Sequence, residues 1–271
     1  MKKIVFFDID GTLIDWKHGV CEISPRVQKA IRSLQEQGHY AFIATGRPYA
    51  FLPQSILDFG FDGFVLMNGA VVKIKDTILH HDSIDLSTLK EFILQFNQRN
   101  IQYILQGEPF SYIHKDFKEL YSFYESIHID PAYLQQEYAL ENVKTSKMEL
   151  LCPNKESIEF CKSLCRDTYD YVHYYDGNIH IVEFYTKRNT KASGILKVLE
   201  HLNIPLSQSY AFGDAKNDIE MLETVGCGIA MGNAHDHIKE HADYVCESIQ
   251  QDGVALGIEK YILNEDSMVK N

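Results

Sequence analysis

Apolar runs of four or five residues recur along the chain and alternate with longer amphipathic stretches. The first, Ile4-Val5-Phe6-Phe7, is too short for a helix and reads as a buried strand. Ser24-Pro25 then offers an N-cap followed by proline at the first helical position, and Val27, Ile31 and Leu34 recur at helical spacing up to Gly38. Residues 40–44 predict a second strand ending at Thr45, residues 48–59 a helix, and residues 63–67 a third strand ending at Asn68-Gly69. Strands alternating with helices imply a parallel sheet. Residues 71–74 and 77–80 read as a hairpin across Lys75-Asp76.

The rhythm changes at Ser83. Helical patterns at 86–99, 116–127 and 155–167 are separated by strand-like runs at 101–106, 147–152, 170–175 and 179–185, a mixture suited to helices packed on an antiparallel sheet. This predicts an α+β domain over residues 83–186, entered near residues 81–83 and left near 186–189, inserted into a core formed by residues 1–82 and 187–271. The alternation then resumes with helices at 191–203, 216–223, 235–240 and 251–263 and strands at 209–212, 227–230 and 243–246, before a polar tail expected to fray. The fold class predicted is therefore α/β: a doubly wound, mainly parallel sheet with an inserted α+β domain.

Chemistry enters at the end of the first run, where Asp8-Ile9-Asp10-Gly11-Thr12 follows Phe7. Residues two apart on a strand face the same way, so Asp8 and Asp10 converge, and such a pair needs a cation or a shared proton. Mg2+ suits the pair, because it takes hard oxygen ligands from one or two carboxylates, waters and a substrate phosphate. The segment taken alone fits a turn equally well. Thr45-Gly46-Arg47, Lys191 and Gly213-Asp214-Ala215-Lys216-Asn217-Asp218 also stand at strand ends or helix starts. Each has a plain structural alternative: Thr45 and Asp214 as helix caps, Lys191 as an exposed first-turn lysine, Asn217 and Asp218 as a solvated face.

Taken together and in this order, the four segments resemble the signature motifs of the haloacid dehalogenase-like hydrolases. Met67-Asn68-Gly69-Ala70, Ala230-Met231-Gly232-Asn233-Ala234, Ala242-Asp243 and Asp252-Gly253-Val254-Ala255 are similar to the Cof-type phosphatases of that superfamily (subclass IIB, with a C2-type cap). Ala192 stands where members often carry glycine, and Ala215 and Lys216 fill variable positions. The resemblance implies a Mg2+-dependent phosphatase for small phosphomonoesters, with an aspartyl-phosphate intermediate. It implies Asp8 as nucleophile, Asp10 as proton donor and acceptor, and Thr45 and Lys191 as catalytic groups on the phosphate. Phosphate would also meet Gly11, Gly46 and Asn217. The metal would be held by Asp8, the Asp10 carbonyl and Asp214, with Asn217 and Asp218 in the outer shell. Arg47 would touch substrate or pair with a surface carboxylate. The inserted domain would act as a specificity cap. A phosphomutase on the same scaffold and a non-catalytic sensor of a phosphorylated metabolite remain open alternatives.

Composition narrows the partners. The 271 residues carry a net charge of -12, opposite to what a nucleic-acid surface needs. The apolar stretch ahead of Asp8 is too short for a signal peptide, and no run approaches a membrane span, which predicts a cytoplasmic protein acting on a small phosphorylated metabolite, as monomer or homodimer. The six cysteines are scattered without a disulfide or zinc framework, and the histidines at 80, 81, 235, 237 and 241 fit no standard ligand spacing.

Overall fold

The structure, a computed structural model, describes residues 1–165, 167–176 and 179–263. In chain order its strands are β1 (Ile4–Phe7), β2 (Tyr40–Ala44), β3 (Gly63–Leu66), β4 (Val71–Ile74), β5 (Thr77–His81), β6 (Gln102–Gln106), β7 (Ser111–Ile113), β8 (Leu134–Gln135), β9 (Lys147–Cys152), β10 (Tyr169–Asp176), β11 (Ile179–Thr186), β12 (Ser209–Gly213), β13 (Cys227–Ala230) and β14 (Tyr244–Val245). They form an eight-stranded sheet ordered β14-β13-β12-β1-β2-β3-β4-β5 and a six-stranded sheet ordered β10-β11-β9-β6-β7-β8. The chain divides into two compact units, one of residues 1–46, 53–80 and 190 onward, the other of residues 47–52 and 81–189.

In the first unit β1 lies between β12 and β2, parallel to both. The chain winds outward in one direction through β2 and β3 and in the other through β12, β13 and β14, so the order reverses beside β1. Crevices outside the carboxyl ends of strands at such a reversal are where ligands bind in open α/β sheets. Every residue of β1 is buried, as a strand covered on both faces should be, which explains its unbroken apolar run. Phe6, Phe42, Val65 and Ala211 share one core cluster with Ile195 and Val198 of the helix Lys191–Leu202. The Ser24 hydroxyl accepts the Val27 N-H at 3.2 Å and caps the helix Pro25–Glu36, as its sequence predicts.

The expected helix over 48–59 is not continuous. A short 3-10 turn, Tyr49–Phe51, is separated from the helix Gln54–Asp58 by Leu52 and Pro53, both extended. Proline has no N-H to continue a helix and drives the residue before it out of the helical region. The break also divides the stretch between units, since residues 47–52 pack with the second and Pro53 onward with the first. The helix expected over 251–263 starts at Gly253 and widens to a π-type turn at Ile258–Leu263. The expected fraying of the tail falls outside the described residues.

The second unit is an antiparallel sheet, apart from the parallel β7–β8 pair, with helices on it. Leu105, Met148, Leu150, Val182 and Phe184 pack on one face against Leu89, Phe92 and Phe96 of the helix Leu86–Asn97 and Ile158 and Cys161 of the helix Lys155–Leu164. On the other face Ile104, Ile113, Leu151 and Ile181 meet Leu120, Phe123 and Tyr124 of the helix Lys118–Ser126, together with Ala50 and Phe51. The strand of entry and the strand of exit are tied: the Asp82 carboxylate accepts Arg188 Nε at 2.6 Å, Arg188 Nη2, and Asn189 Nδ2 at 2.8 Å. Ser146 Oγ donates to the Asp82 carbonyl at 2.6 Å. None of the six cysteines is in a disulfide, and among the described residues no helix is long and apolar enough to cross a membrane.

Candidate active site

Asp8, Thr45 and Asp214 each follow the last residue of a neighbouring parallel strand, β1, β2 and β12. The Asp8 N-H donates to the Phe212 carbonyl at 3.0 Å, and the Thr45 N-H to Val65 at 2.8 Å, so both stay in sheet register after the strands end. Because β1 stops at Phe7, the two carboxylates lie in the loop beyond the strand. The Ile9 carbonyl accepts the Leu13 and Ile14 N-H groups at 2.9 Å and turns the loop back. Asp8 is buried in this turn while Asp10 is exposed. Gly11 has φ +84°, and a Cβ there would collide with the Asp214 carboxylate; only glycine accommodates both.

Lys191 is the first residue of its helix, held by a reciprocal cap in which Thr190 Oγ1 accepts the Ser193 N-H at 3.2 Å and the Thr190 N-H donates to Ser193 Oγ at 3.1 Å. Gly69, at φ +91°, lets the loop after β3 press against the Thr190 carbonyl. Lys191 is fully buried, with Nζ 2.6 Å from Asp8 Oδ1 and 2.6 Å from Asp218 Oδ1. Asp218 is itself fully buried, and its other oxygen accepts the Asp214 and Ala215 N-H groups at 2.9 Å each. One carboxylate therefore fixes both the lysine and the loop that carries Asp214. Thr12 Oγ1 donates to Asp214 Oδ1 at 3.0 Å.

Charge is out of balance here. Burial raises Asp8 well above the usual carboxylate range, Asp218 adds to the rise, and Lys191 opposes it. Asp214 is pushed up to about 7, first by burial and then by Asp218, against the Thr12 hydrogen bond and Lys191. Burial alone would lower Lys191, but the carboxylates of Asp218 and Asp8 outweigh it and hold the ammonium above its ordinary value. Carboxylate oxygens of Asp8, Asp214 and Asp218 lie within 4.8 Å of one another. Three acids against one ammonium leave an uncompensated negative charge, and an all-oxygen set of this kind fits Mg2+. Asp218 has committed both oxygens to protein donors, so Asp8 and Asp214 are the side chains with capacity left for a cation.

Other expected residues are placed as follows. Asn217 is exposed and donates through Nδ2 to Asn68 Oδ1 at 3.1 Å. A Cβ at Gly46 would lie 3.2 Å from that same Asn68 oxygen, so Gly46, Asn68 and Asn217 are neighbours. Arg47 belongs to the second unit, where its Nη1 donates to the Phe51 carbonyl at 2.8 Å. Two further residues were not singled out by sequence: Thr12, and Asn233, whose Nδ2 donates to the Gly11 carbonyl at 2.8 Å while its Oδ1 accepts the Ile249 N-H at 2.9 Å. Thr12 stands beside Gly11 and Asn233 within Met231-Gly232-Asn233, so both sat inside runs already noted.

The family model of the haloacid dehalogenase-like hydrolases matches residues 5–258. The chain belongs to this family. YkrA of Bacillus subtilis is 28% identical over 265 residues, spanning 95% of this chain and 97% of its own. The 5-amino-6-(5-phospho-D-ribitylamino)uracil phosphatase YitU of the same organism is 28% identical over 276 residues, 95% and 97% of the two chains. Among solved structures, the subclass IIB sugar phosphatase BT4131 superposes with a TM-score of 0.75 at 25% identity, over 96% of this chain and 99% of its own. The α/β class and the subclass IIB resemblance expected from sequence are thus borne out, and with them an enzyme of the phosphoric monoester hydrolase class.

Proposed function

We propose that this haloacid dehalogenase-like hydrolase is a Mg2+-dependent phosphatase, cytoplasmic, that cleaves small polyhydroxylated phosphomonoesters through a phosphorylated Asp8. The observation that carries the reading is the fully buried Lys191 ammonium held 2.6 Å from Asp8 and 2.6 Å from Asp218 beside Asp214. A buried lysine with two carboxylates is costly as a structural device alone, and its position against the end of β1 suits a fixed charge on a transferring phosphoryl group.

The Asp8 carboxylate attacks phosphorus, the bond from phosphorus to the leaving oxygen breaks, and Asp10 gives that oxygen a proton. Asp10, exposed and therefore open to solvent, then takes a proton from water as the water attacks the phosphoryl group, freeing inorganic phosphate and regenerating Asp8. Lys191 neutralises Asp8 and the phosphoryl oxygens; Thr45 and the N-H groups about Gly11 and Gly46 orient those oxygens. Asp8, the Asp10 carbonyl and Asp214 would hold Mg2+, which when bound supplies the charge that relieves repulsion between acid and phosphate. Arg47 belongs to the unit we assign as the specificity cap. The leaving-group class is supported by the relatives, one named for a ribityl phosphate and one a sugar phosphatase.

Phosphate release from p-nitrophenyl phosphate and a panel of sugar phosphates, measured in Mg2+ and in EDTA beside Asp8→Asn, tests this. The expected result is metal-dependent turnover that falls at least about 1,000-fold in the variant. Turnover kept within tenfold by Asp8→Asn overturns the nucleophile, and turnover kept in EDTA overturns the metal.

A further inference from the structure

The outer edge of the second unit's sheet carries a pair of histidines. β10 and β11 run antiparallel, with Tyr175 opposite His180 and His173 opposite Val182, so these four side chains share one face. It is the face on which Val182 and Phe184 pack with the helix Lys155–Leu164. His173 and His180 are diagonal neighbours there, His173 exposed and His180 half-buried.

His173 Nε2 lies 3.3 Å from His180 Nδ1. Hydrogen bonds from N-H groups typically close to about 2.9–3.0 Å, so a proton shared by these rings holds them only loosely. The separation suits another occupant: two nitrogens on a tetrahedral Zn2+, each at about 2.0–2.1 Å from it, stand about 3.3–3.4 Å apart. The two rings have centroids 5.4 Å apart and planes inclined at 31°, and the Tyr175 ring packs 4.8 Å from that of His180. Partial burial, His180 and Lys162 hold His173 below its ordinary value, against Glu159, which favours the neutral imidazole that a metal requires. Lys162 and Glu159 pair at 3.0 Å, so their charges offset each other beside the site.

We infer that His173 and His180 form a two-histidine site for a divalent transition-metal ion of the class imidazole binds, Zn2+ among them, with waters completing the coordination. Each ring then carries its proton on the far nitrogen, Nδ1 of His173 and Nε2 of His180, and turns its near lone pair to the ion. Mg2+, which takes hard oxygen ligands, has no place here, so the pair differs in chemistry from the site at Asp8 and Asp214. Its consequence is mechanical. β10 is the outermost strand of its sheet, bonded to a neighbour on one side only, and an ion shared with β11 ties that edge down. The inference is independent of the phosphatase reading.

Zn2+ is titrated calorimetrically into the full chain beside His173→Gln and His180→Gln. Any binding at Asp8 and Asp214 or at other histidines is common to all three proteins, so the difference isolates the pair. Wild type is expected to bind one equivalent that each variant binds at least about tenfold more weakly. Amide hydrogen exchange with and without Zn2+ supplies a second readout: the ion is expected to slow exchange along β10 and β11 in wild type and in neither variant. Because it can be read in wild type alone, the exchange result stands whether or not the variants fold. Zn2+ binding that both variants keep within about threefold overturns the site, as does exchange that Zn2+ leaves unchanged along β10 and β11.

Discussion

Each unit of this chain buries a lysine among carboxylates, and the two clusters are built to different ends. In the first, Lys191 serves Asp8 and Asp218 while Asp214 crowds them, and burial first, then the Asp218 charge, pushes Asp214 up to about 7. In the second, Lys147 is matched by Glu183 and the Glu149 charge is met by three neutral donors. Burial lowers Lys147 to about 8, with Glu149 opposing the fall and Arg47 adding to it. The first cluster leaves carboxylates in excess of its one ammonium, whereas the second meets its surplus carboxylate, Glu149, with neutral hydrogen-bond donors. The comparison teaches that a buried acid is accommodated either by a cation or by saturation with neutral donors, and that the two solutions leave different surplus charge.

The largest expected break in this comparison is Lys191→Met. It leaves Asp8 and Asp218 buried without their cation, so unfolding stability should fall by about 3–5 kcal/mol and phosphate release should be lost. Denaturant unfolding in metal-free buffer measures it, and a fall below about 1 kcal/mol would mean the ammonium is not what offsets the two acids.

A pH series sharpens the comparison next. The native Asp214 pKa, about 7, lies above its ordinary value of 3.8, so the folded chain holds the proton more tightly than the unfolded chain. Its contribution to stability is present below about pH 4 and is lost as pH rises towards and through about 7. Asp214→Asn removes that loss, so the melting temperature of the variant minus wild type should grow by several degrees between pH 4.5 and 8 without metal. Adding Mg2+ should raise wild type at pH 8 and close the gap. A difference flat with pH contradicts the assignment.

The smallest effect belongs to the second cluster. Glu149→Gln keeps one acceptor oxygen but removes the charge met by three donors, and the expected cost is about 1–2 kcal/mol with little dependence on Mg2+. A Mg2+-dependent change in melting there would show that the two clusters are not separate in kind.

What could be read from sequence follows from how far apart the interacting residues lie. Asp8, Asp10 and Gly11 announce themselves in a run of four residues, and the helix cap at Ser24-Pro25 is a local event. The helix expected over 48–59 failed because apolar spacing outweighed Pro53, whose missing N-H decides the matter. β7 and β8, three and two residues long, carry too little pattern to register and exist because the sheet recruits them. The assembly of Gln106, Tyr124, Glu149 and Tyr174 leaves no trace along the chain, since the three donors lie 25 to 43 positions from Glu149. Thr12 and Asn233 show a subtler failure: both sat in recognised runs, but hydrogen bonds to Asp214 and Gly11 give them meaning only after the loops meet.

Asp82 grips Arg188 and Asn189 across 106 and 107 positions of chain. The insertion therefore begins and ends within a side chain's reach, and in topological terms it is a bead threaded on a closed loop. The bead is not wholly self-contained, since residues 47–52 belong to the same unit and Ala50 and Phe51 pack in its core with Ile104 and Tyr124.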